Sequence, residues 1–252
     1  MLYGGKNKGD TTKMKKIVGS LLMSSTLLFT VVAPVVANAA STSDNTVQGT
    51  TDATATFTKG TEVTTPVDPS NPSTDGNDGS STGDGNNGST DTGDLKLLYV
   101  TDKLDFGSHE INFSNAATYN ATEGDTTSLW DVSGTKKAVV EVADVRGTNA
   151  GWNLTVTGSN MTSGSDELKG ATLALPEGTV TSTGTNGGAT AIAATNVLGT
   201  SASVLNAASG TGAGVTADQL DPSTINLTVP ANAAKAQTYS ATLDWTLSDA
   251  PK

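Results

Sequence analysis

Apolar and polar residues alternate over the C-terminal residues 239–251. Tyr239, Ala241, Leu243, Trp245 and Leu247 are separated one by one by Ser240, Thr242, Asp244 and Thr246, with Ser248 following. Side chains on a strand point to opposite faces in turn, so this order gives one dry and one wet face. A helix would scatter the same apolar set around its circumference. The pattern predicts a half-buried antiparallel strand that stops at Pro251, which has no N–H to give a ladder. A shorter stretch upstream repeats it, with Trp152, Leu154 and Val156 on one face and Asn153 and Thr155 on the other.

Further strands are predicted at residues 95–100 and at the β-branched run 137–145, long enough to cross a sheet centre. Leu104, Asp105, Phe106 and Gly107, then Ile111, Asn112 and Phe113, predict a hairpin turning at residues 107–110. Leu173 and Leu175 alternate up to Pro176, and Ile225, Leu227 and Val229 up to Pro230. Between Pro176 and Asp221 the chain is mostly Gly, Ala, Thr and Ser. Residues 196–198 and 203–205 predict short edge strands there, and the remainder predicts a long loop. No segment has the period of an amphipathic helix. Short strands separated by turn signals make an all-β protein, an antiparallel β-sandwich with long Gly/Ala/Thr-rich loops.

The two Trp-x-Leu strands, the later one within Tyr-x3-Leu-x-Trp-x-Leu-x3-Pro, resemble the WxL domain family. Tyr239, Leu243, Trp245, Leu247 and Pro251 fill every defined position of the distal motif, and Trp152 and Leu154 form the proximal one. Asp144, Val145, Arg146 and Gly147, the run Leu104, Asp105, Phe106 and Gly107, and the Gly/Ala-rich residues 207–214 are also similar to the family. The resemblance covers residues 95–252. It implies a secreted surface protein of Gram-positive bacteria, held non-covalently by peptidoglycan in the cell wall, with other surface proteins as partners.

Upstream, the basic Met14, Lys15 and Lys16 precede an apolar run over residues 17–36 and the small-residue site Ala37, Asn38, Ala39. That order predicts a secretory signal peptide cut between Ala39 and Ala40, with residues 1–13 an upstream leader before a true start at Met14. The run approaches membrane-spanning length, but Pro34 and the small-residue site favour cleavage over a permanent anchor, leaving no membrane segment in the mature chain. Residues 1–39 are therefore leader and signal. Residues 40–94, rich in Ser, Thr, Gly and Asp, carry nine carboxylates (eight Asp and Glu62) against Lys59, and predict a disordered linker. Their Asp/Asn/Gly spacing misses the EF-hand pattern, because Gly79 and Gly88 stand where a third ligand belongs. Residues 95–252 then hold the β domain. No second hydrophobic segment or LPxTG-like sorting sequence follows the last strand, so attachment is expected to come from the folded domain.

The net charge of −11 argues against nucleic acid as a partner. Without cysteine there is no disulfide, thiolate nucleophile or lipoprotein anchor. His109 is the one histidine, beside a turn glycine and with no G-x-S-x-G elbow, and reads as a polar turn residue. No enzyme activity, cofactor or metal is expected. Trp152 and Trp245 are either core or sugar-stacking platforms. Their large apolar area, in a chain only 4% aromatic, weighs towards core. Trp130, outside the alternating strands, is the candidate exposed aromatic, and Arg146 is either a strand-end ion pair or a ligand contact. The expected function is non-catalytic attachment to the cell wall. The alternative is a protein–protein module that pairs strand edges with other surface proteins, or an adhesin for host extracellular proteins.

Overall fold

A computed structural model describes residues 49–62, 65–75, 93–122, 130–132, 135–183 and 188–249. The expected leader, signal peptide and cleavage site, the linker residues 76–92 and Pro251 lie outside the described residues. The chain divides into two units, Met1–Thr54 and Ala55–Lys252, and every described strand lies in the second.

In chain order the strands are β1 (Val67–Asp68), β2 (Asn71–Asp75), β3 (Leu95–Val100), β4 (Ala117–Asn120), β5 (Trp130–Val132) and β6 (Thr135–Asp144). There follow β7 (Trp152–Gly158), β8 (Thr162–Ser163), β9 (Asp166–Glu167), β10 (Thr172–Ala174) and β11 (Thr179–Ser182). The last are β12 (Thr190–Ala191), β13 (Ser201–Ala207), β14 (Gly214–Leu220), β15 (Asn226–Val229) and β16 (Leu243–Ser248). All their ladders are antiparallel. One sheet runs β11-β14-β6-β3, with β5 on the start of β6; a second runs β12-β13-β7-β16, and a third β10-β15-β4. The three share one core. Leu97, Val140, Val142 and Leu220 come from the first sheet, Trp152, Leu154, Val156 and Leu205 from the second, and Leu173 and Leu227 from the third. This is an all-β antiparallel sandwich, and β3, β6, β7, β10 and β15 lie where the hydrophobic pattern predicts strands.

The differences are physical. Residues 214–220, expected as loop, form the central strand β14, and residues 179–182 pair beside it. The pattern is silent there because Thr216 and Asp218 stand opposite the core valines Val142 and Val140, and both are buried. The expected hairpin over residues 104–113 does not form. Asp105 bridges Thr122 instead, and residues 107–113 carry no ladder. Residues 203–205 sit inside β13, which lies between β12 and β7 rather than at an edge. Residues 196–198 are loop, pinned by the Asn196 side chain, which accepts from the Leu173 and Leu198 N–H groups at 3.1 Å each. The distal strand begins at Leu243 rather than Tyr239, and Trp130 lies on β5, opposite Lys137, rather than outside the strands.

Part of the expected linker is also ordered against the domain. The β1–β2 hairpin covers the outer face of the first sheet, where Val67 joins Leu98, Ala143 and Val215 in a second apolar cluster. Pro69 C=O accepts from Gln219 Nε2 at 2.8 Å and from the Thr181 hydroxyl. The Glu141 carboxylate accepts from Val67 N–H at 3.0 Å. These residues are polar in sequence because they pair across the hairpin-to-sheet contact, not because they face water.

Candidate functional site

The two Trp-x-Leu motifs part company in three dimensions. Trp152 is 0% exposed, and its ring N–H donates to Gly212 C=O at 3.0 Å. Gly212 has φ +79°, and a Cβ there would collide with Ala207 Cβ and with Trp152 Nε1. The Gly/Ala-rich run over residues 207–214 therefore lets backbone lie against the indole edge, where a side chain would not fit. Arg146 belongs to the same corner. Its guanidinium grips the buried Asp144 carboxylate through two bonds of 2.9 and 2.8 Å and donates to Gly151 C=O at 2.8 Å. The hydrogen bonds to the Asp144 side chain beside it raise the Arg146 pKa above its ordinary value. Of its two sequence readings, Arg146 takes the ion pair. Leu154, next on the strand, is fully buried.

Trp245 is different. β16 ends the β12-β13-β7-β16 order, so it has β7 on one side only among the described residues. Leu243, Trp245 and Leu247 are half-buried against the core, while Asp244, Thr246 and Ser248 are exposed. Beside this strand opens a groove of about 1530 Å³. One wall is residues 234–245, including Tyr239, Leu243 and Trp245; the other is residues 100–113 with Tyr119.

Local bonding sets both walls. The Tyr239 hydroxyl accepts from Lys235 N–H and from Gln237 Nε2, each at 3.0 Å, which ties off the loop entering the distal strand. Lys235 Nζ meets Asp166 at 2.5 Å, and this bond and that of Gln237 hold the Asp166 carboxyl below its ordinary range. Ser240 and Thr162 exchange two backbone bonds of 2.9 Å, continuing the wall into the hairpin β8–β9. Opposite, the His109 ring stacks on Tyr119 with centroids 3.9 Å apart and planes 16° from parallel. His109 Nε2 lies 2.5 Å from Phe106 C=O, and Gly107 makes the turn between them with φ +78°. The single histidine is thus a loop-bracing aromatic. Phe113, 69% exposed, lies on the groove's lip. The charged lining is mainly acidic: Asp102, Asp105, Glu110 and Asp244 face Lys103 and Lys235, and Lys235 is already paired.

Tyr239, Leu243 and Trp245, expected on one strand face, line one wall of the groove, although only Leu243 and Trp245 lie on β16. In the second wall, His109 and Phe113 come from the stretch read as a hairpin and Tyr119 from β4. A signal was present: aromatic residues recur over 106–119 without a strand partner in sequence. Leu247 lies on the same strand face beyond the groove lining. Trp130 is placed only by its backbone on β5; its side chain lies outside the described residues. Among the described residues, no group of three or more His, Cys, Asp or Glu could hold a metal ion, and no helix is long and apolar enough to cross a membrane.

No curated protein and no solved structure matches the chain. A family model described as WxL domain surface cell wall-binding matches residues 44–251, which reaches back beyond the β1–β2 hairpin and runs through the distal tryptophan strand. With that match spanning most of its length, the chain belongs to the WxL domain family of surface proteins that bind the cell wall, and it acts at the cell surface.

Proposed function

We propose that this domain holds the wall through the groove beside β16, and that the ligand is the glycan of peptidoglycan. The observation that carries the reading is the half-buried Trp245 ring in an open groove faced by the Tyr119–His109 stack. Aromatic faces cover the apolar face of a pyranose ring, and half-burial leaves such a face available while the strand fixes its angle. The acidic lining disfavours phosphate-rich wall polymers and suits a neutral N-acetylated glycan. The role is binding without catalysis. The chain reaches the wall by export, with the signal peptide cut between Ala39 and Ala40.

The test is sedimentation of the secreted protein with purified peptidoglycan free of anionic polymers. The parent should co-sediment, and Tyr119→Ala and Trp245→Ala should each reduce bound protein by about tenfold while keeping a cooperative melt. Full binding by both folded variants would move the site elsewhere on the domain. The second reading, pairing of strand edges with other surface or host proteins, is favoured by one observation: β16 has an open edge among the described residues.

A further inference from the structure

Residues 55–58, Ala55, Thr56, Phe57 and Thr58, form an exposed segment outside any strand or helix at the root of the second unit. Its residues alternate apolar and hydroxyl side chains, with the aromatic and β-branched types that favour strands. Yet among the described residues no hydrogen bond reaches it, and Phe57 is 91% exposed. Phe113 on the groove lip is the other large apolar side chain left exposed among the described residues. An unpaired arm of strand-forming residues and an open strand edge beside a groove with Phe113 on its lip thus occur in one chain.

The arm cannot fill its own groove. It is rooted where Gly60 N–H donates to Val145 C=O at 3.2 Å and Lys59 meets Asp94 at 2.8 Å, past the end of β6. The groove touches β6 at Ala138, Val139 and Val140, towards its other end. From Val139 to Val145 a strand spans about 20 Å. The chain from Gly60 back to Phe57 reaches about 10 Å at most.

We propose that the arm around Phe57 docks in the groove of a second copy of this chain, adding a strand at the β16 edge and seating Phe57 against Phe113. The fit is chemical as well as steric. Residues 55–58 carry no charge, so the acidic lining does not repel them. Strand addition gives the arm's backbone the partners it lacks. The docked arm and the glycan proposed above would fill the same groove and so compete for it. The two proposals still fail separately, because self-association is read in solution without any wall.

Sedimentation velocity of the mature chain over a wide concentration range tests it. The parent should form a dimer, and Phe57→Ser and Phe113→Ser should each weaken dimerisation at least about tenfold. Both side chains are exposed, so neither change should alter the melt. Mixing the two variants is the sharper test. Only the mixture pairs an intact arm with an intact groove, so heterodimers should form at concentrations where each variant alone is monomeric. A parent that stays monomeric overturns the proposal. So does a mixture that associates no better than its components, as stacking of like residues would give.

Discussion

At the scale of single residues, the two tryptophans of the family motif are buried to different depths, and mutation should separate them. Trp152 fills the core, and deleting a fully buried aromatic costs about 3–5 kcal/mol. Since domains of this kind hold about 5–15 kcal/mol in all, Trp152→Ala should lose its fold near physiological temperature. Gly212→Ala should be nearly as severe, because the positive φ and the indole edge both exclude a Cβ. Trp245→Ala removes a half-buried ring and should cost roughly half as much, about 1.5–2.5 kcal/mol. Urea denaturation of the three variants gives the order. A Trp245→Ala loss equal to that of Trp152→Ala would return Trp245 to the core and remove it from the groove.

At the scale of elements, the first sheet buries an ionisable group on each face, Glu141 under the hairpin β1–β2 and Asp218 towards the core. Burial without a cation raises the Glu141 pKa from 4.5 to about 8, opposed in part by the bond from Val67 N–H. Asp218, buried opposite Val140, rises from 3.8 to about 7 for the same reason. An acid whose folded pKa is raised binds more protons folded than unfolded. Its contribution is therefore fully favourable below its ordinary value and is lost as pH climbs through the raised one. The domain should be more stable at about pH 5 than at about pH 8, the reverse of a protein held by exposed acid–base pairs. Glu141→Gln keeps an acceptor for Val67 N–H and cannot ionise, so it should flatten that slope in part, with Asp218 carrying the rest. Denaturation midpoints across this pH range decide it; a parent that gains stability towards pH 8 would show that neither acid is buried neutral. Removing residues 40–75 should uncover Leu98, Ala143 and Val215 and lower the melting temperature, whereas a chain starting at Ala55 should melt like the mature protein.

At the scale of the whole molecule, charge sets how the wall is approached. Residues 95–252 carry fifteen acids and eight bases, and bacterial walls are themselves anionic. At about 0.15 M salt the Debye length is roughly 8 Å, so long-range repulsion is screened while the short-range stacking and hydrogen bonds proposed for the groove are not. Wall binding should hold steady or strengthen as salt rises. A steep loss would mean that a local basic surface supplies the affinity, with Lys136 and Lys137 on β6 the first to replace.

The strands whose one face is apolar were legible from the chain alone, as at β7 and β16, because a period of two needs only local order, and β6 was legible as a long β-branched run. The long distal motif pointed to the family because its fixed positions are a local string, of which Leu243, Trp245 and Leu247 lie on one strand. Three things needed the tertiary structure. Strand β14 was hidden because its core-facing positions include Thr216 and Asp218, and a buried polar residue reads as loop until its neighbours are known. The hairpin β1–β2 was hidden because its docking relies on backbone groups and on Glu141, Thr181 and Gln219, distant in sequence. The difference in burial between Trp152 and Trp245 was hidden as well. The local patterns are alike, but only the first strand lies inside its sheet, and an edge strand has a neighbour to cover its apolar face on one flank only.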